Sequence, residues 1–245
     1  MPTATIVTVP ATMLWVEPTS PREIDAPAVT AHPDVAVWLR GLDAVEDGRV
    51  GLHGRVESQL VRGEPVQVVG SREDWRQVIC LWQPSSADPR GYPGWIPAAH
   101  LGEDEAPSSS VPAPDARVSG AALLATARQH LGLPYLWGGM STYGLDCSGL
   151  VHLSLRTLGL VVPRDAHDQQ DAATPVRIED VQEGDLLFFA RDGQPAHHVG
   201  IATGDGGMLH APETGALIVE EPLTRERAES LSGAGRFTTE ADDPR

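Results

Sequence analysis

Residues 103–119, EDEAPSSSVPAPDARVS, gather acids, three consecutive serines and Pro107, Pro112 and Pro114 into one stretch. Such a run offers a core nothing to bury and interrupts any helix or ladder, so it reads as an exposed, semi-extended linker over 104–118. The chain must therefore fold on either side of it, and the two sides carry different patterns. Of its 245 residues 41% are hydrophobic and 21% charged, enough apolar material for ordinary globular cores and too much for general disorder.

Before the linker the pattern is that of short strands. Pro65-Val-Gln-Val-Val, Trp75-Arg-Gln-Val-Ile-Cys-Leu-Trp and Gly94-Trp-Ile-Pro are apolar or alternating runs separated by Gly, Pro and acidic turns. They predict a small all-β barrel or sandwich over 51–103. In 1–50, Ile6-Val-Thr-Val and Met13-Leu-Trp-Val are strand candidates and Asp34 to Leu42 a helical turn, consistent with a second, divergent copy of that unit.

Over 119–245 the period changes. Ser119 can N-cap a helix through Ala122, Leu123, Ala127 and His130 that stops at Gly132 and Pro134. A second helix starts near Asp146-Cys147-Ser148 and carries Leu150, Val151, Leu155 and Leu158 to Gly159. Strands are expected at Asp185–Ala190, His198–Ala202, Met208–Ala211 and Ala216–Val219. Helices followed by successive strands on tight turns predict an α+β domain with an antiparallel sheet.

Two cysteines cannot build a disulfide framework or a cysteine-rich zinc site, so each acts alone. Cys80, flanked by Ile79, Leu81 and Trp82, reads as a small buried hydrophobe. Cys147 follows Asp146, a good cap, which places its sulfur in the first turn of a helix where unpaired N–H groups favour a thiolate. In His197-His-Val-Gly-Ile, alternation puts His197 with Val199 and Ile201 and His198 with Gly200, so His198 is the candidate base and His197 a strand-end histidine. His210 on the next strand can hold the tautomer and orientation of His198, the third-member role of a nucleophilic triad. That role requires His198 and His210 on one face. A two-residue Asp205-Gly206 turn would pair His210 with Ile201 and split them, so a three-residue loop or a bulge is expected, with Gly204, Gly206 and Gly207 supplying the freedom. His198, His210 and Asp185 lack the spacing of a metal site, and no metal or other cofactor is expected.

Six ordered motifs resemble the NlpC/P60 cysteine peptidases, papain-like enzymes that cut bacterial cell-wall peptides: Leu133-Pro-Tyr-Leu-Trp-Gly-Gly, Asp146-Cys-Ser-Gly-Leu, Val162-Pro-Arg-Asp-Ala-His-Asp-Gln, Gly184-Asp-Leu-Leu-Phe-Phe, His198-Val-Gly-Ile and Met208-Leu-His-Ala. The resemblance implies Cys147 as nucleophile, His198 as base and His210 as orienting residue, with Tyr135, Asp146, Ser148 and Asp165 lining a pocket for the substrate's N-terminal ammonium. At Ala166 this chain departs from relatives that carry a polar serine. Arg62-Gly-Glu-Pro-Val, Asp74-Trp and Gly91-Tyr-Pro-Gly-Trp-Ile-Pro resemble bacterial SH3 domains, which the wall-recycling γ-D-glutamyl-L-diamino acid endopeptidases of this family also carry.

Together these imply hydrolysis of the γ-D-glutamyl–diamino acid bond in short murein peptides bearing a free N-terminal L-Ala. The alternatives are an autolysin acting on polymeric peptidoglycan and a non-catalytic wall-binding module, and the diamino acid is diaminopimelate or Lys. The net charge of −16 repels phosphate backbones and anionic lipid, which argues against nucleic-acid and membrane partners. Met1 to Val16 carries no Lys or Arg and is interrupted by Pro2 and Pro10, unlike a secretory signal, so a cytoplasmic location is expected.

Overall fold

The computed structural model describes residues 4–104 and 118–237; all but the ends of the expected linker lie outside the described residues. The chain divides into two compact units, Met1–Ser110 with Pro134–Asp146, and Val111–Leu133 with Cys147–Arg245. Residues 134–146, which the sequence patterns group with the 119–245 domain, thus belong with the first unit.

The first unit contains β1 (Ala4–Val7), β2 (Ala11–Trp15), α1 (Ala26–Val29), α2 (Val35–Asp43), β3 (Val56–Val61), β4 (Pro65–Arg72), β5 (Trp75–Cys80), β6 (Tyr92–Pro97), β7 (Leu101–Asp104) and the small hairpin β8 (Met140–Ser141) and β9 (Gly144–Leu145). Strands β1 to β7 form one antiparallel sheet in the order β3-β2-β6-β5-β4-β1-β7, so strands from both 1–50 and 51–103 share it. Its outer strands β3 and β7 are not paired with each other, and among the described residues it does not close into a barrel.

Alternation along β2 explains how one sheet serves two cores. Met13 and Trp15 face a cluster with Trp38, Leu42, Leu52 and Trp95, whereas Leu14 faces a second with Val7, Leu60, Val78, Cys80 and Ile96. Helix α2 supplies the first cluster because Val35, Trp38, Leu39 and Leu42 recur at helical spacing, and Asp34 caps it by accepting from Val37 N–H. Cys80 sits in the second cluster as expected, and burial, with Glu64 nearby, pushes its thiol well up. The outer strand β3 is covered by the 134–146 segment: Trp137 Nε1 donates to Val56 O at 2.8 Å and Met140 N to Gln59 Oε1 at 3.0 Å.

The second unit contains α3 (Gly120–Arg128), α4 (Cys147–Thr157), α5 (Ala166–Ala172), β10 (Thr174–Val176), β11 (Leu186–Phe189), β12 (His198–Ala202), β13 (Gly207–His210), β14 (Val219–Pro222), α6 (Arg225–Glu229) and β15 (Leu231–Arg236). It is α+β with an antiparallel six-stranded sheet in the order β10-β15-β11-β12-β13-β14. Ser119 caps α3 as expected, accepting from Ala122 N–H at 3.1 Å. The last expected strand is displaced: Ala216–Ile218 lie outside it because Ile218 pairs instead with 132–133, donating to Leu133 O and accepting from Gly132 N–H.

Candidate active site

Cys147 is the first residue of α4 and is buried, and α4 packs against β12, whose first residue is His198. His198 is buried, whereas His197, which stands just before β12 begins, is exposed.

Hairpin β12–β13 has the parity the sequence requires. Ile201 pairs with Leu209 and Ala202 with Met208, and Thr203 N donates to Gly207 O, so the loop is the three residues Gly204-Asp205-Gly206. Both glycines have positive φ, 86° and 89°, which only glycine adopts without strain. His198 and His210 therefore share a face, with His198 Nε2 and His210 Nδ1 2.8 Å apart and the rings at 76°. Gly200 lies in the register position opposite His210, and a Cβ there would meet Met208 Sδ at 2.9 Å and His210 Cβ at 3.4 Å. The vacant side-chain position beside the imidazole is thus what seats it.

On the far side, His210 Nε2 lies 3.1 Å from Glu221 Oε1 on β14, and Arg227 Nε of α6 lies 3.5 Å from the same oxygen. Burial, reinforced by repulsion from His210 when it is protonated, from Arg227 and from His197 when it is protonated, pushes His198 down to about 3. Burial and then Arg227 push His210 down to about 4 against the opposing pull of Glu221. Both rings are therefore neutral at physiological pH, the state in which His198 can accept a proton.

The expected pocket residues fall in both units. In the first, Tyr135 is buried and its carbonyl accepts from Arg49 Nη1, while Asp146 Oδ2 accepts from Gly138 N–H at 2.8 Å. In the second, Ser148 Oγ accepts from Arg164 Nη1 at 2.9 Å, and Asp165 precedes α5 with its side chain not hydrogen-bonded to that helix's first turn. Arg164 is fully buried, and Gln169 Nε2 ties Ser148 O to Pro163 O. The carboxylates of Asp165 and Asp168 and the imidazole of His167 come within 4.8 Å of one another.

Sequence reasoning missed Glu221, Arg227, Arg164 and Gln169. The last two lie in the quoted 162–169 motif; for Glu221 the signal was strand parity, since Met208 pairs with Glu221 and His210 with Val219, which puts Glu221 on the imidazole face.

A buried cysteine heading a helix that packs against a strand opening on a buried histidine is the kind of arrangement a cysteine-type peptidase uses. The chain's particular place follows from its relatives. The NlpC/P60 family model matches residues 132–235. A γ-D-glutamyl-L-lysine dipeptidyl-peptidase of Bacillus subtilis is 34% identical, the match covering 86% of this chain and 90% of the relative. One of the same name from Bacillus cereus is 28% identical over 94% of this chain and 90% of its own length. The crystal structure of an NlpC/P60 family protein from Bacillus cereus superposes with a TM-score of 0.87 at 28% identity, covering 96% of this chain and 99% of that one. The chain belongs to the NlpC/P60 family.

Proposed function

We propose that this chain hydrolyses the γ-D-glutamyl–diamino acid bond of short murein peptides with a free N-terminal L-Ala, using Cys147 as nucleophile, His198 as base and His210 as orienting residue. The observation that carries this reading is the 2.8 Å contact from His198 Nε2 to His210 Nδ1 on the strand against which the Cys147 helix packs. Because His210 occupies Nε2, Nδ1 of His198 is the nitrogen left to take the Cys147 proton. The sulfur attacks the γ-carbonyl carbon and the amine of the diamino acid leaves with that proton, giving a γ-D-glutamyl thioester. Water, deprotonated by the same nitrogen, then hydrolyses the thioester, releasing L-Ala-D-Glu and restoring the thiol. Backbone N–H groups at the start of α4 supply the oxyanion donors.

In this reading Tyr135, Asp146, Ser148 and Asp165 receive the L-Ala end, the two carboxylates holding its ammonium. The names of the two Bacillus relatives support the bond assignment and favour Lys as a diamino acid to test first. Further parts of the proposal are the division into 1–50, 51–103, 104–118 and 119–245, an SH3-like origin for the strands before 104, and a cytoplasmic location. Among the described residues no helix is long and apolar enough to cross a membrane.

Product analysis on L-Ala-γ-D-Glu-Lys and L-Ala-γ-D-Glu-diaminopimelate, each beside its N-acetylated form, tests the proposal. An ammonium–carboxylate hydrogen bond contributes about 1.5–3 kcal/mol, so acetylation should lower kcat/KM by at least about ten-fold. Asp165→Asn should shrink that preference. Equal rates on free and acetylated peptides would transfer the enzyme to the autolysin reading.

A further inference from the structure

The imidazole pair does not end at His210. Glu221 continues it at 3.1 Å, and no assignment of Cys147, His198 and His210 requires a carboxylate there. We propose that Glu221 is a positioning residue that fixes the proton of each imidazole on Nε2, so that His198 presents an unprotonated Nδ1 to the thiol. This rests on the reading of His198 as base.

Donors and acceptors must match along the row from Glu221 to His198. A carboxylate only accepts, so His210 Nε2 must carry the N–H that Glu221 Oε1 receives. A neutral imidazole has one N–H, so His210 Nδ1 is then an acceptor. His198 Nε2, 2.8 Å away, must therefore be the donor, and His198 Nδ1 is left bare. Among the described residues the hydrogen-bond partners of the His210 ring are His198 and Glu221, so loss of the carboxylate makes the alternative tautomer available; with its proton on Nδ1, it pushes the His198 proton onto the very nitrogen that has to act as base.

The backbone supports the assignment. Met208 pairs with Glu221 and His210 with Val219, so Glu221 is the diagonal neighbour of His210 on the same face, while Glu220 points the other way and is bound by Arg128. Arg227 Nε on α6 approaches the same Oε1 at 3.5 Å and gives the carboxylate a second partner beside His210. The charged and titratable groups around the pair are His197 on the approach to β12, Glu221 on β14 and Arg227 on α6. Glu221 favours protonation of His210, whereas Arg227 opposes protonation of both rings.

The test uses the full chain and three measurements. Nitrogen-15 spectra of the wild type should show both His198 and His210 protonated on Nε2; a proton on His210 Nδ1 overturns the proposal even if no variant folds. Glu221→Leu should lower kcat by about ten- to a hundred-fold and give a mixture of His210 tautomers, while Glu221→Gln, whose amide oxygen still accepts, should restore part of the rate and the single tautomer. Arg227→Met should move the acid limb of kcat/KM to higher pH and Glu221→Gln should move it to lower pH. Full kcat in Glu221→Leu with both rings still protonated on Nε2 overturns the assignment. Cys147→Ala measured alongside separates the two readings: if it is active the proposed function fails, and if it is inactive while Glu221→Leu is unaffected only the role of Glu221 fails.

Discussion

His152 and His198 are both buried in the second unit, and both are pushed down to about 3, chiefly by burial. His152, in the middle of α4, donates from Nδ1 to Val162 O at 2.8 Å, and its Nε2 has no hydrogen-bond partner among the described residues. His198 instead opens a chain that passes through His210 and Glu221 to Arg227 near the surface. The same depression thus accompanies two different situations. Desolvation alone makes an imidazole neutral; a path of partners gives its protons defined positions and its cation somewhere to spread. The cysteines divide similarly, Cys80 inside an apolar cluster and Cys147 heading a helix.

The two thiols should differ most. Cys147→Ser should lower turnover by at least about a thousand-fold, since residues of a triad act as a unit, while leaving the melting temperature close to wild type. Cys80→Ser should do the reverse, costing about 1–3 kcal/mol in urea unfolding by burying a hydroxyl, with the rate retained. Substantial activity in Cys147→Ser would remove the distinction between the two sulfurs.

Acid acts on the buried imidazoles through their stability. A histidine with a folded pKa near 3 and an unfolded value near 6.5 binds more protons when unfolded between those limits, so its stabilising contribution is full above 6.5 and is lost as pH falls toward 3. For His152 the loss is about 2–3 kcal/mol at pH 4.5. Urea unfolding of His152→Leu should therefore show a shallower fall in stability between pH 7 and 4.5 than the wild type. A parallel fall would mean that His152 titrates normally in the folded chain.

The smallest effect is expected at Gly200. An Ala there places a methyl 3.4 Å from His210 Cβ and 2.9 Å from Met208 Sδ. The thioether can swing aside, so the stability cost should stay near 1 kcal/mol, but His210 must shift by tenths of an ångström and kcat should fall several-fold. Unchanged kcat would show that the relay tolerates displacement.

The elements that sequence reasoning reached are those with local determinants. Ser119 marks α3 because a hydroxyl cap acts within three residues, and the loop at 204–206 follows from parity once two histidines are required on one face. Strand β15 escaped because LSGAGR has the composition of a turn, yet it lies inside the sheet between β10 and β11. Its glycines permit close approach: a Cβ at Gly235 would fall 2.6 Å from Ala173 Cβ. Asp146 was read as a helix cap and ammonium ligand, and its bond to Gly138 N–H depends on a turn that no local signal announces. Glu221 looks like any strand carboxylate until the register of β13 and β14 is known.

Residues 134–146 cover the outer strand of the first unit although the chain on either side of them belongs to the second. In terms of fragment complementation, a cut anywhere in 105–117 does not sort the molecule into its two units. The carboxy-terminal piece would carry Trp137 and Met140, whose partners Val56 and Gln59 stay on the amino-terminal piece, so each fragment lacks part of a fold that the other holds. Two such pieces are expected to remain associated after cleavage and to reassemble when mixed, and a catalytic segment taken from 119 onward would display an indole and a loop made for a strand it no longer has.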